Sequence, residues 1–154
     1  MKSYADTNFF TNYYLELAEG ERARELLNHL APHNHLLSIT WLLHLEYANA
    51  LERMVFETRQ GGQRYRATPE GAAAAHAQFE ENLRDEIHIH EVVLPLLRVM
   101  DDCRALILRH TAKHGFRTYD IVHVASALAL GCDTFWSFDQ RVLRLARLEG
   151  LRTN

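Results

Sequence analysis

Asp6, Glu46, Asp120 and Asp139 are the residues whose types and spacing could do chemistry. Asp6 follows the first apolar run of the chain and Asp139 the last clear one, Asp120 stands at the start of the helix before it, and Glu46 falls early in another helix. Four converging carboxylates with no compensating lysine repel one another and resist ionisation unless a hard divalent cation sits between them. Mg²⁺ or Mn²⁺ in such a cluster offers a phosphodiester an activated water and neutralisation of charge at the phosphoryl oxygens. Each acid alone has a plainer reading. Asp6 and Asp120 can cap the helices that follow them, and Glu46 can be a partly exposed helical glutamate. Only the joint placement favours a shared site. Asp133 also lies near a strand, but at its start and so at the opposite edge, and is set aside.

The elements that must position these acids follow from periodicity. Residues 2 to 6 form a short apolar strand, and Phe9, Phe10, Tyr13, Tyr14, Leu15 and Leu17 then recur at helical spacing. Ala23, Leu26, Leu27 and Leu30 make one stripe of a second helix. Residues 36 to 40 form a strand and 41 to 58 a helix. The run 59 to 66 carries a glycine pair, three arginines and no acid, which makes it a loop of local charge +3. Thr68-Pro69 opens an alanine-rich helix to about residue 84. Ile87 and Ile89 alternate as a strand, a helix spans about 95 to 114 before Gly115, another spans 119 to 130 before Gly131, and 134 to 138 is β-prone. A basic helix with Arg141, Arg144 and Arg147 closes the chain. The order β-α-α-β-α-α-β-α-α-β-α predicts a three-layer α/β/α sandwich around a mostly parallel sheet, built as one domain over residues 1–154. Ligands of such sheets bind at the carboxyl ends of the strands, where the four acids are expected.

Composition sets the bounds. A chain of 154 residues that is 47% hydrophobic suits one globular core, and a net charge of −3 means that any nucleic acid must be held by local basic patches. Cys103 and Cys132 are too few for a disulfide framework and read as buried thiols in a reducing, cytoplasmic setting. The N-terminus reaches Asp6 before any apolar run of signal length, and no stretch is long enough to span a membrane. Ten histidines include the pairs His33/His35 and His88/His90. That spacing can bind a transition metal, but strand alternation equally places both rings on one solvated face.

Asp6-Thr7-Asn8, Glu46, Tyr119-Asp120-Ile121-Val122-His123-Val124-Ala125 and Ser137-Phe138-Asp139, in that order, resemble a PIN domain of the VapC toxin type over nearly the whole chain. The resemblance implies Mg²⁺- or Mn²⁺-dependent endoribonuclease activity, a homodimer and a cognate antitoxin, with Asp6, Glu46, Asp120 and Asp139 as the acidic quartet that binds metal and catalyses. It also places Asn8 and Ser137 beside the quartet, where a polar side chain can hydrogen-bond a carboxylate or water, and Thr40 is read the same way. His123, one turn beyond Asp120, is read as a satisfied, partly buried histidine rather than a catalytic one. The family closes its sheet with a further strand; only residues 151–154 remain for it here, so that strand is expected to be short or absent.

Other classes fit less well. A phosphatase of the haloacid-dehalogenase kind would need a second aspartate at position 8, which is asparagine, and no serine or cysteine stands in a nucleophile-elbow context. The rival of a different class is a catalytically silent PIN-like module that binds RNA or protein. RNA contacts are expected from Arg64, Arg66, Arg117 and Arg144. The apolar surplus of the first helix points to a partner groove at Phe10 and Tyr14, where an antitoxin segment would lie while a basic side chain plugs the acidic cleft.

Overall fold

The computed structural model describes residues 2–30, 35–62 and 66–154. Strand β1 (Ser3–Ala5) is buried along its whole length, as a central strand covered on both faces must be. It leads into α1 (Thr7–Tyr14) and α2 (Gly20–Leu30), then β2 (Leu37–Ile39), α3 (Trp41–Arg59), α4 (Pro69–Arg84) and β3 (Ile89–Glu91). Helix α5 (Leu96–Leu106) continues through a π-helical turn (Ile107–Thr111) into α6 (Ala112–His114), followed by α7 (Thr118–Ala129), β4 (Thr134–Trp136), α8 (Gln140–Leu148) and β5 (Arg152–Thr153).

All ladders are parallel: β1 pairs with β4, β4 with β5, and β2 with β3, while β1 runs beside β2. The described strands thus form a three-stranded sheet in the order β1-β4-β5 and a two-stranded sheet β2-β3 that lies alongside it at β1. Helices α1 to α4 pack among themselves, and α5, α7 and α8 form a second group. This is the expected parallel α/β architecture, and the closing strand is present but only two residues long. No helix among the described residues is long and apolar enough to cross a membrane.

Helix starts follow the capping chemistry of the sequence. Asp6, Thr40, Thr68 and Asp139 each accept a backbone N–H of the first turn, and Pro69 follows Thr68 at the first helical position. Two boundaries differ from expectation. Helix α1 stops at Tyr14 rather than near Leu17, because Glu16 turns left-handed (φ 49°) and Leu17 donates its N–H to the Asn12 carbonyl at 3.0 Å. That is a Schellman closure without its usual glycine. Likewise β3 starts at Ile89, since Glu86 and His88 both have positive φ and leave Ile87 in an exposed turn.

The expected partner groove at Phe10 and Tyr14 is corrected by the packing. Phe10 is 1% exposed and Tyr14 9%. Helix α1 is covered on two sides, so it needs two apolar stripes: Phe9 packs on Trp136 and Phe138, while Phe10 and Tyr14 meet Phe79 and Tyr47 across α3 and α4. The Tyr14 hydroxyl accepts a buried 2.9 Å bond from Asn82 Nδ2. Tyr14→Phe is expected to cost about 1–2 kcal/mol in denaturant unfolding, because it strands a buried donor. Unchanged stability would show that the Asn82 amide is satisfied elsewhere.

Candidate active site

Each acid is delivered to one cleft by a different element. Asp6 follows β1 and caps α1, Glu46 lies on the second turn of α3 beyond β2, Asp120 is at the third position of α7, and Asp139 follows β4 and caps α8. All four line a cavity of about 830 Å³, together with Thr7, Asn8, Arg53, Arg117, His123 and the apolar Trp41, Leu45 and Met54. Asp133 lies at the other edge, paired with Arg152 at 2.7 Å.

Asp6 is almost fully buried. Its Oδ1 accepts from the Phe9 N–H at 3.1 Å and its Oδ2 from Ser137 Oγ at 2.7 Å. Burial pushes its carboxyl up to about 6, with the negative charge of Glu46 adding to the rise and His123, Ser137 and the Phe9 N–H opposing it. Ser137 also accepts the Asp139 N–H at 3.0 Å, so one hydroxyl joins two of the acids. Asn8 does not touch a carboxylate; its side-chain oxygen accepts the Phe138 N–H at 3.0 Å and pins the loop that carries Asp139.

Glu46 is held by a chain of polar groups. Thr7 Oγ1 and His123 Nε2 both hydrogen-bond its Oε2, and His123 Nδ1 meets the Tyr4 hydroxyl at 3.0 Å. Each ring nitrogen of His123 therefore has a partner, and the ring bridges Tyr4 and Glu46. Burial works against ionisation of Glu46, but the hydrogen bond and charge of His123, with Thr7, outweigh it and hold the carboxyl below its usual range. Burial raises Tyr4 well above the phenol range, so its hydroxyl keeps its proton. Thr40 caps α3 through the Leu43 N–H at 3.2 Å and lies beside Tyr4, so its link to Glu46 runs through Tyr4 and His123 rather than by a direct bond. His123 is thus a satisfied, buried histidine as the sequence suggested, and its partner is one of the acids.

Asp120 and Asp139 share a cation that sequence reasoning passed over. Arg141 Nε lies 3.4 Å from Asp120 Oδ2, and a terminal guanidinium nitrogen lies 3.6 Å from Asp139 Oδ2. The Nε makes no hydrogen bond, so the guanidinium is poised between the acids rather than locked. Among the expected RNA-binding arginines that lie in the described residues, only Arg117 lines the cleft. Arg66 and Arg144 are exposed away from it, and Arg64 lies outside the described residues. Arg53 lines the cleft while pairing with Glu57 at 3.1 Å. Neighbours of known acids were the available signal: Thr7 adjoins Asp6, and Arg141 follows Asp139 by two.

Comparison with protein families finds that the PIN domain model matches residues 3–148. The chain belongs to the PIN-domain family. PIN domains are generally nucleases and typically use a divalent metal. The donor set of this PIN domain fits that chemistry: four carboxylates face one cleft, and burial raises the most enclosed of them, Asp6, a cost that a bound divalent cation would offset. The fold is also similar to three solved structures. PAE2754 from Pyrobaculum aerophilum is 16% identical with a TM-score of 0.59, covering 99% of this chain and 83% of that one. VapC20 from Mycobacterium tuberculosis, described as a Sarcin-Ricin loop cleaving toxin, is 16% identical with a TM-score of 0.60, covering 93% and 94%. FitAcB from Neisseria gonorrhoeae is 15% identical with a TM-score of 0.59, covering 98% and 95%. No curated protein matches the sequence.

Proposed function

We propose that this PIN domain is a Mg²⁺- or Mn²⁺-dependent endoribonuclease and the toxin of a toxin–antitoxin pair. The observation that carries the reading is the presence of Asp6, Glu46, Asp120 and Asp139 on one cleft. Their carboxylates would hold the cation, which when bound supplies an activated water and charge neutralisation at phosphate. Ser137 keeps Asp6 and the Asp139 loop in place, while Thr7 and His123 aim Glu46 and favour its ionised form. RNA as substrate draws support from the fold likeness to VapC20, described as cleaving the Sarcin-Ricin loop.

Arg117, exposed at the cleft, is the side chain best placed to meet an RNA phosphate, while Arg141 approaches Asp120 and Asp139. Arg117→Ala should weaken RNA binding across sequences and reduce the slope of log affinity against log salt by about 0.7, the value of one phosphate contact on a single strand. An unchanged slope would remove Arg117 from the RNA surface.

Partners follow from what the surface leaves exposed. An antitoxin segment is assigned to the apolar rim formed by Trp41 and Leu45, which are half or more exposed beside the acids, in place of the buried Phe10 and Tyr14. A basic side chain of that segment would compete for the carboxylates much as Arg141 already approaches two of them. The homodimer is assigned to the exposed Leu97, Met100 and Leu108 of α5 and the π turn. Leu97→Glu should convert a dimer into a monomer in sedimentation; a dimer that survives it uses another face. Expression with and without the product of a neighbouring gene tests the reading as a whole. Growth arrest with new RNA ends, both relieved by the second protein, is expected, and arrest without RNA cleavage would refute it.

A further inference from the structure

His44, His76 and Glu80 bring their side chains together on the α3–α4 surface, apart from the acidic cleft. His44 Nε2 lies 2.5 Å from Glu80 Oε1, His76 Nε2 lies 3.8 Å from the same oxygen, and one ligand atom of each residue falls within 4.8 Å of the others. His76 and Glu80 are one helical turn apart on α4, so a single helix face presents both, and His44 comes from α3 opposite them. None of the three lines the cleft that holds Asp6, Glu46, Asp120 and Asp139.

We infer that His44, His76 and Glu80 form a second metal site, selective for a first-row transition ion of the Zn²⁺ type. Two imidazoles and a carboxylate are borderline and hard donors in the ratio that suits zinc, whereas Mg²⁺ favours oxygen alone. Tetrahedral zinc with ligand bonds near 2.1 Å puts its donor atoms roughly 3.4 Å apart. The present spacings bracket that figure, so small rotations of three partly exposed side chains complete the set, with water as the fourth ligand. The frame behind them is already fixed. Tyr47 stacks on Phe79 at 4.6 Å and donates to the Ala75 carbonyl at 3.2 Å, and the His44 ring packs on Phe79 at 5.4 Å. Binding therefore needs little reorganisation of the helices. Its consequence is a clamp between α3 and α4, two residues along α3 from Glu46.

The test uses the full chain without a polyhistidine tag, titrated with Zn²⁺ in saturating Mg²⁺ so that the acidic cleft is occupied. One equivalent of zinc is expected, with a rise in Tm and, for Co²⁺ in its place, visible absorption of a tetrahedral ion. His76→Ala and Glu80→Gln, both at partly exposed positions, should each weaken that equivalent about tenfold or more, whereas Asp6→Asn should leave it intact. Zinc affinity untouched by His76→Ala and Glu80→Gln, loss of the zinc equivalent in Asp6→Asn, or no stoichiometric binding at all would overturn the site.

Discussion

Asp6→Asn should lower metal-dependent RNA cleavage by on the order of 10³-fold and, in a chelator at pH 8, should leave the protein more stable than the wild type. The first effect follows from removing one carboxylate of the cluster: about 4 kcal/mol of transition-state stabilisation corresponds to that factor. The second follows from burial. The Asp6 carboxyl is raised from 3.8 to about 6, so the folded chain binds this proton more tightly than the unfolded chain does. Stability from that proton is complete below about pH 4 and is lost as pH rises through 6. At pH 8 the metal-free protein carries a buried charge worth about 3 kcal/mol. Asparagine carries none, and its oxygen can still accept the Phe9 N–H. A net gain of about 1–2 kcal/mol is expected after imperfect pairing with Ser137. Thermal unfolding in chelator at pH 4 and pH 8 reads this directly: the advantage of the variant should be present at pH 8 and absent at pH 4. Added Mg²⁺ should stabilise the wild type and not the variant. A variant less stable than the wild type at pH 8 in chelator would mean that Asp6 serves the fold as a cap more than it burdens it.

His123→Phe is expected to reduce kcat/KM by about 10- to 100-fold, the usual cost of losing a group that orients a metal-binding side chain. His123 acts as a positioning residue, through its bond to Glu46. Phenylalanine keeps its bulk against Tyr4 but removes the bond to Glu46. Burial then acts on Glu46 with only Thr7 in opposition, so its carboxyl should rise and ionise at higher pH. The acid limb of the pH–rate profile should move upward, and the Mg²⁺ concentration for half-maximal rate should increase. A merely structural histidine would lower the rate at every pH alike and leave the limb where it is.

The parts of this molecule that could be read from sequence are those written in local code. The run before Asp6 had to be a buried strand, Thr68-Pro69 had to start a helix, and the Ser137-Phe138-Asp139 turn had to follow a strand, because short-range sterics and capping dictate each. Long-range pairings carry no such code. His44 and His76 are 32 positions apart and meet only because α3 and α4 pack on Phe79 and Tyr47, while in the nearer pair His88/His90 the first residue sits in a left-handed turn and the second reaches Ser38 at 3.4 Å; His33 lies outside the described residues. Arg141 read as one of three surface arginines on α8. What singles it out is the approach of α7 to α8, which no periodicity reports. Phe10 and Tyr14 misled for a related reason. Amphipathicity predicts one buried stripe, whereas α1 is covered by β4 on one side and by α3 and α4 on the other.

Cleavage of a pool of RNA by the purified wild-type chain, with the new ends sequenced in Mg²⁺, Mn²⁺ and chelator, tests most directly whether the acidic cleft hydrolyses RNA. Defined ends that appear with either metal and vanish in chelator are predicted. RNA that binds without being cut under any metal would contradict the proposal in favour of a silent binding module, and cutting that persists in chelator would contradict the role given to Asp6, Glu46, Asp120 and Asp139.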